Sequence, residues 1–209
     1  MVAFKPNAPL TGLGFLVMLS GLFLSISNRG THWISVEWKV NGLSLDQDVN
    51  LWTANVHTEY EGGGTSMTHD DDNKIDDDAH NWKAFEINRG STILGAIVGF
   101  VNGALILGMG LTDKRNKFIE LFAGATAVVA GVICLAGAGY WHQRWKNNEP
   151  SYGVLEDPDE ENYCAAGCGL EFAAGVIIIL AGLAIAAHAV VVAPTAGSAG
   201  APGGASSVV

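Results

Sequence analysis

Cysteine and basic residues are scarce in this chain and N-glycosylation signals are absent, and each of these features excludes a class of structure, partner or topology marker. No cysteine stands between Met1 and Ile133, so no disulfide can form within that part. The 11 Lys and Arg are outnumbered by 21 Asp and Glu, which denies the chain the basic face that a nucleic-acid partner needs. No Asn-x-Ser/Thr sequence is present, so N-linked sugars cannot report the topology.

The chain also lacks the short motifs of common enzyme classes. HExxH, the P-loop and GxSxG are absent, and we expect no facing pair of carboxylates or histidines inside the apolar runs. His57, His69 and His80 do not have the spacing of metal ligands. The aspartates of 70–78 lack the order of an EF-hand loop, so we interpret them as a solvated segment. The sequence thus predicts a protein that is not an enzyme and holds no metal or cofactor.

Hydrophobic residues are abundant, at 49% of the chain, and they are gathered into four runs. About 20 helical residues rise roughly 30 Å, the thickness of the hydrocarbon core. The first run could instead be a cleaved signal peptide, because Ser25-Ile26-Ser27 resembles a cleavage site, although the run is long for one. We predict an all-α membrane protein, a four-transmembrane-helix bundle. Its predicted spans are 10–27, 91–111, 121–141 and 171–193.

A small extracellular β-sheet is predicted in the first loop, 28–90. Apolar and polar residues alternate from Ile34 to Val40, Asn41-Gly42 then favours a hairpin turn, and a second alternation runs from Trp52 to Tyr60. Beyond Tyr60 the loop is rich in glycine and acid, and we expect no regular structure there. Trp33, Trp38 and Trp52 are candidates for the sheet core or the headgroup level.

Orientation follows from the basic residues. The short loop 112–120 carries Lys114, Arg115 and Lys117, and by the positive-inside rule it is cytoplasmic. The N-terminus 1–9 and the flexible tail 194–209 then lie on the same side, and the loops 28–90 and 142–170 lie outside. The predicted location is the plasma membrane.

Small residues recur at every fourth position on one face of the second and third spans, where they would let a neighbouring helix approach closely. Asn102, in mid-span, is predicted to make a hydrogen bond between helices. The residues assigned to helix packing are Gly95, Gly99, Gly103, Ala123, Ala127 and Gly131.

Four residues near the ends of the spans have more than one interpretation. Glu171 is expected to reach headgroup water, and His188 is interpreted as a packed or interfacial residue rather than a proton relay. Cys164 and Cys168 could bond outside the cell. A regular helical turn would hold their Cα atoms near 6 Å but with imperfect side-chain directions, which favours free thiols. A frayed first turn would favour the disulfide.

The chain end Ser207-Val208-Val209 fits the Ser-x-apolar pattern of a PDZ ligand, which binds as an added strand with its carboxylate held by backbone amides. A PDZ scaffold is therefore a candidate partner. The pattern is short, and about one chain end in twenty-five would fit it by chance.

A family resemblance emerges from the residues that flank these spans. Trp38, followed by Leu51-Trp52, resembles the tryptophan and Gly-Leu-Trp signature of the claudin-like tetraspan superfamily, with Asn50 where glycine is usual. That superfamily includes claudins, peripheral myelin protein 22 relatives and calcium-channel gamma subunits. Arg89 before the second span and Trp141 at the end of the third also resemble family positions. The family's two first-loop cysteines are absent here, and amastins, a related group, carry cysteines in that loop too.

The resemblance implies a function without catalysis. The chain would be an integral membrane protein for cell-surface structure, adhesion or the organisation of junctions, acting through lateral assembly and outer-loop contacts. Its partners would be membrane lipids and, side by side, itself or other tetraspan proteins. The alternative is an auxiliary subunit of a channel, a transporter or another membrane complex, bound through the glycine-rich helix faces.

Overall fold

Four long helices dominate the computed structural model of the chain. The described residues are 7–40, 43–52, 54–60, 63–69, 79–112, 115–147, 160–162 and 164–191. All four helices are long and apolar enough to cross a membrane. The helices are α1 (Ala8–Arg29), α2 (Ala79–Thr112), α3 (Lys117–Asn147) and α4 (Ala166–Val191).

The helices are antiparallel neighbours in a ring. α1 packs on α2, α2 on α3, α3 on α4 and α4 back on α1, while α2 and α4 barely touch across the centre. We call the end of the ring where α1 ends and α4 begins the loop end, and the opposite end, where α1 begins and α4 ends, the termini end. In a bilayer each backbone polar group must find its partner within the chain, and continuous helices satisfy that demand.

Each helix is longer than the apolar run that predicted it. α2 begins at Ala79 rather than 91, because Ala84, Phe85 and Asn88 on its first turns are buried against the bundle. Hydropathy marks only the part of a helix that contacts lipid, so this amphipathic extension was assigned to the loop. The loop predicted at 112–120 shrinks in the same way, since α3 already begins at Lys117.

The chain between α1 and α2 follows four strands, and a fifth precedes α4. They pair antiparallel in the order β4-β3-β2-β1-β5. In β1, Trp38 lies opposite Leu45 of β2, and β4 occupies part of the segment where no regular structure was predicted. The four helices confirm the predicted membrane bundle, while a stable outer sheet stays a prediction. The strands are β1 (Ile34–Val40), β2 (Leu43–Val49), β3 (Ala54–Tyr60), β4 (Gly63–His69) and β5 (Glu160–Asn162).

Glycines set the distance between α1 and α2. A Cβ atom built on Gly99 would lie 2.8 Å from the Cα atom of Gly21, and one built on Gly14 would lie 2.5 Å from the backbone nitrogen of Leu107. At Gly103 a Cβ atom would meet the Met18 side chain. The two backbones are therefore in direct contact, as close small-residue packing between membrane helices allows.

The other predicted packing residues also lie inside the bundle. Gly131 faces α4, where an added Cβ would lie 2.7 Å from the Gly175 carbonyl oxygen, while Ala123 and Ala127 are fully buried. Gly95 faces the side chains of Leu24 and Cys134. The whole set of small residues thus contacts the chain's own helices, while many large apolar side chains remain outside.

Adding a side chain at Gly99 should destabilise the bundle. Gly99→Val places branched carbons against the α1 backbone, and overpacking of this kind costs about 1–3 kcal/mol. Gly108 is the matched control, because it lies on the same helix and has no atom within 4 Å of an added Cβ. Thermal unfolding of the purified chain in detergent should show a lower midpoint for Gly99→Val and little change for Gly108→Val. Equal midpoints for both variants would contradict the close α1–α2 contact.

Candidate functional site

Trp33 joins the two long connections at the loop end of the bundle. Its ring is fully buried, packs edge-on against Trp141 at 4.9 Å between centroids, and donates from Nε1 to the Ser27 carbonyl oxygen at 2.8 Å. A Cβ atom on Gly167 would meet the Trp33 ring, so only glycine fits beneath it.

Backbone hydrogen bonds hold this contact in register. The Ala165 amide donates to the Trp33 carbonyl oxygen at 3.1 Å, and the Gly167 amide donates to the His32 carbonyl oxygen at 2.8 Å. The Ser27 hydroxyl donates to the Gly167 carbonyl oxygen at 2.7 Å. The residues that follow α1 and those that open α4 therefore form one structural unit, which we call the loop junction.

A disulfide closes the start of α4 around Gly167. Cys164 and Cys168 are bonded, with their Cα atoms 5.0 Å apart, so the preference for free thiols was wrong. The reason is the position of the helix start. α4 begins at Ala166, which leaves Cys164 in a turn before the helix rather than in a regular helical turn.

Three of the four outer-loop residues that resemble the family signature, Leu51, Trp52 and Arg89, come together beside the loop junction. Arg89 donates from Nε to the Leu51 carbonyl oxygen at 2.6 Å, and its guanidinium carbon lies 4.3 Å from the centre of the Trp52 ring. Trp52 donates from Nε1 to Asn28 Oδ1 at 2.9 Å. Trp38, the fourth, lies on β1 outside this group.

Asn28 links that group to α2. Its Nδ2 donates to Thr92 Oγ1 at 2.5 Å, and Thr92 in turn donates to the Asn88 carbonyl oxygen at 2.7 Å. The Arg29 guanidinium carbon lies 5.5 Å from the Trp52 ring centre, so both guanidinium groups stack near one indole. An indole and cations at a helix end suit the membrane–water interface.

Glu171 is buried, contrary to the expectation that it reaches headgroup water. Its side chain is 0% exposed, and Oε1 accepts a hydrogen bond from Ser91 Oγ at 2.5 Å. Glu171 Oε2 and Asn88 Oδ1 are both buried and have no hydrogen-bond partner among the described residues. We call Glu171, Asn88 and Ser91 the carboxylate cluster. It lies between α2, α3 and α4, one turn below the disulfide.

A second buried carboxylate lies at the termini end. Arg115 donates to both carboxylate oxygens of Glu120 at 2.9 Å, and His188 Nδ1 lies 3.1 Å from Glu120 Oε2. Glu120 is fully buried within this group, which we call the ion cluster. His188 is therefore a packed residue, as predicted, and the carboxylate of Glu120 is its charged partner.

Sequence reasoning missed the ion cluster because Glu120 was assigned to the polar loop. Arg115 and Glu120 are five residues apart, but His188 comes from the far end of α4, and no local pattern joins them. The one available signal was the position of Glu120 in the first turn of an apolar helix. In mid-bundle, Asn102 donates to the Ala123 carbonyl oxygen at 3.1 Å and to Thr126 Oγ1 at 2.9 Å, which confirms the predicted bond between helices.

A metal site and the predicted PDZ ligand remain to be compared with the structure. Across the described ranges, no three His, Cys, Asp or Glu side chains converge to hold a metal ion. Ser207, Val208 and Val209, and the aspartates of 70–78, lie outside the described residues. The PDZ ligand therefore stays a prediction.

Filling the space under Trp33 should weaken the loop junction. Gly167→Ala puts a methyl group against the indole, and we expect a lower thermal midpoint together with faster disulfide reduction by a mild thiol. Gly169→Ala is the matched control, because its Cβ would have open space on the same helix. Intrinsic tryptophan fluorescence would measure the thermal midpoint, and thiol titration would measure the rate of disulfide reduction. If Gly167→Ala and Gly169→Ala behave alike, the indole does not rest on Gly167.

Neutralising Glu120 should loosen the termini end. Glu120→Gln removes the charge that holds Arg115 and His188, and a buried hydrogen bond to a charged group contributes about 1.5–3 kcal/mol. Chemical unfolding in mixed micelles would measure the loss. Lys117→Gln, an exposed change at the start of the same helix, is the control and should leave stability within about 0.5 kcal/mol. A Glu120→Gln variant as stable as the parent would show that the ion cluster adds nothing.

Two comparisons with known proteins return no match for this chain. No protein-family model matches the sequence, and no curated protein is significantly similar to it. The claudin-like resemblance therefore stays a prediction, carried by the residues named above.

Proposed function

We propose that this chain is a non-enzymatic, claudin-like membrane protein that organises or joins cell surfaces through its outer connections. The observation that carries the proposal is the loop junction. It ties the residues after α1 to those before α4 by two backbone hydrogen bonds and a buried tryptophan. Two long connections fixed to one rigid base suit a protein whose loops make specific contacts.

The orientation is part of the same proposal. By the positive-inside rule, the basic connector between α2 and α3 places the termini end in the cytoplasm and the loop end outside. The predicted outer sheet then lies beyond the plasma membrane, above the loop junction. An oxidising exterior also suits the disulfide at the start of α4.

Lateral assembly would use the apolar outer faces of the helices. The glycines assigned to helix packing, which the auxiliary-subunit alternative would use to bind a partner, are buried within the chain and are not available to a neighbouring protein. Large apolar side chains remain outside, among them Phe118, Phe122 and Leu180 at 82%, 69% and 62% exposure. Association through such surfaces in lipid rests on shape and van der Waals packing rather than on the hydrophobic effect.

Crosslinking between two labelled cell populations would test the proposal. One population carries light and the other heavy amino acids, and an impermeant amine crosslinker is added after the cells have been mixed. We expect links between light and heavy copies through Lys39 or Lys83, which belong to the loop-end side of the chain. Such pairs form only when copies on apposed cells touch.

The other outcomes are equally specific. Links within one population alone indicate lateral assembly without adhesion. Links to one unrelated protein in a fixed ratio support the auxiliary-subunit alternative and contradict adhesion. Lys83 and Lys117 are both exposed and lie at opposite ends of the bundle, so they form an internal topology control. Labelling of Lys117 without Lys83 on intact cells would invert the orientation and overturn the proposal.

A further inference from the structure

The carboxylate cluster has more hydrogen-bond acceptors than donors. Ser91 Oγ supplies one proton, and its short bond to Glu171 Oε1 uses it, while the Asn88 carbonyl oxygen lies farther away at 3.2 Å. Asn88 Nδ2 donates one of its two protons to the Ala84 carbonyl oxygen at 2.7 Å. Glu171 Oε2 and Asn88 Oδ1 are buried and accept no hydrogen bond among the described residues.

The cluster is enclosed by three helices. Ser91 Oγ and Asn88 Oδ1 lie 2.6 Å and 3.3 Å from the position that a Cβ atom would take at Gly137 of α3. Glu171 reaches the same hydroxyl from α4. The oxygens of the cluster thus share one buried region, which a side chain at position 137 would crowd.

No positive side chain is paired with Glu171 in the described part of the chain. The Cys134 thiol of α3 contacts the cluster, donating to the Ser91 carbonyl oxygen at 3.4 Å, and three guanidinium groups belong to the same end of the bundle. The guanidinium groups belong to Arg29 of α1, Arg89 of α2 and Arg144 of α3. Since leaving a charge buried and unpaired is strongly unfavourable, the cluster needs a positive species.

We propose that Glu171, Asn88 and Ser91 form a binding site for a small monovalent cation at the loop end of the bundle. A carboxylate oxygen, an amide oxygen and a hydroxyl oxygen are hard ligands, which suit a proton or an alkali cation such as Na⁺. One charge on Glu171 matches one charge on the ligand. The proposal does not depend on the adhesive function, because it rests only on the bundle.

Thermal unfolding of the full chain in lipid nanodiscs would test the site, with Na⁺ exchanged for choline at constant ionic strength over a range of pH. If Na⁺ is the ligand, the unfolding midpoint of the parent rises with Na⁺ concentration. If a proton is the ligand, the midpoint ignores Na⁺ and falls as protons are removed at higher pH. In that case infrared spectra also show a protonated carboxyl band. Glu171→Gln should remove the dependence, since its amide supplies the missing donor without charge.

Matched variants separate the site from general effects. Glu86→Gln removes a charge from an exposed position of α2 near Asn88 and should keep the cation dependence of the parent. Cys134→Ala removes the neighbouring thiol and should also keep it. Asn88→Leu retains the carboxylate but removes one ligand, so the dependence should weaken by about tenfold in cation concentration. This variant serves if Glu171→Gln does not fold. The proposal would be overturned if the unfolding midpoint of the parent did not change with Na⁺ concentration or with pH. It would also be overturned if the midpoints of the parent and of Glu171→Gln changed equally with both.

Discussion

The packing of the Trp33 indole against the backbone of Gly167 is the contact on which the structure of the loop end depends. The indole fills the space between the end of α1 and the start of α4, and it leaves room for no atom beyond the glycine backbone. Its only polar atom is satisfied by the Ser27 carbonyl oxygen. Because this contact joins the end of α1 to the start of α4, it also fixes the positions at which the two long connections meet the bundle.

Within the membrane interior, the helices are held together by close backbone packing and by a few polar contacts. Lipid tails are as apolar as leucine, so burial of apolar surface does not hold the helices together there. Glycine contacts between α1 and α2 and between α3 and α4 bring backbones close enough for dense packing. Asn102 adds two hydrogen bonds in mid-bundle, and the ion cluster closes the termini end. Hydrogen bonds between polar groups thus connect the helices at the ends and in the middle of the bundle, and small residues allow close helix packing elsewhere.

The sequence predicted well what depends on local composition. Four apolar runs predicted four helices, and the spacing of Gly95, Gly99 and Gly103 marked a face that is buried. It predicted poorly what depends on tertiary partners. Glu171 was expected at the headgroups because it stands at the edge of an apolar run, but Ser91, eighty residues away, holds it inside. The disulfide depended on where α4 begins, a boundary that hydropathy does not determine.

Aggregation of proteoliposomes would test the adhesive function most directly. The purified chain is inserted with its loop end outward into vesicles that contain no other protein, and particle size is followed by light scattering. If outer-loop contacts join membranes, the vesicles cluster, and trimming the loops with a protease disperses them. Vesicles that stay single at every protein density would contradict adhesion by this chain, because no missing partner, glycan or cytoskeletal link is needed for loops that bind one another.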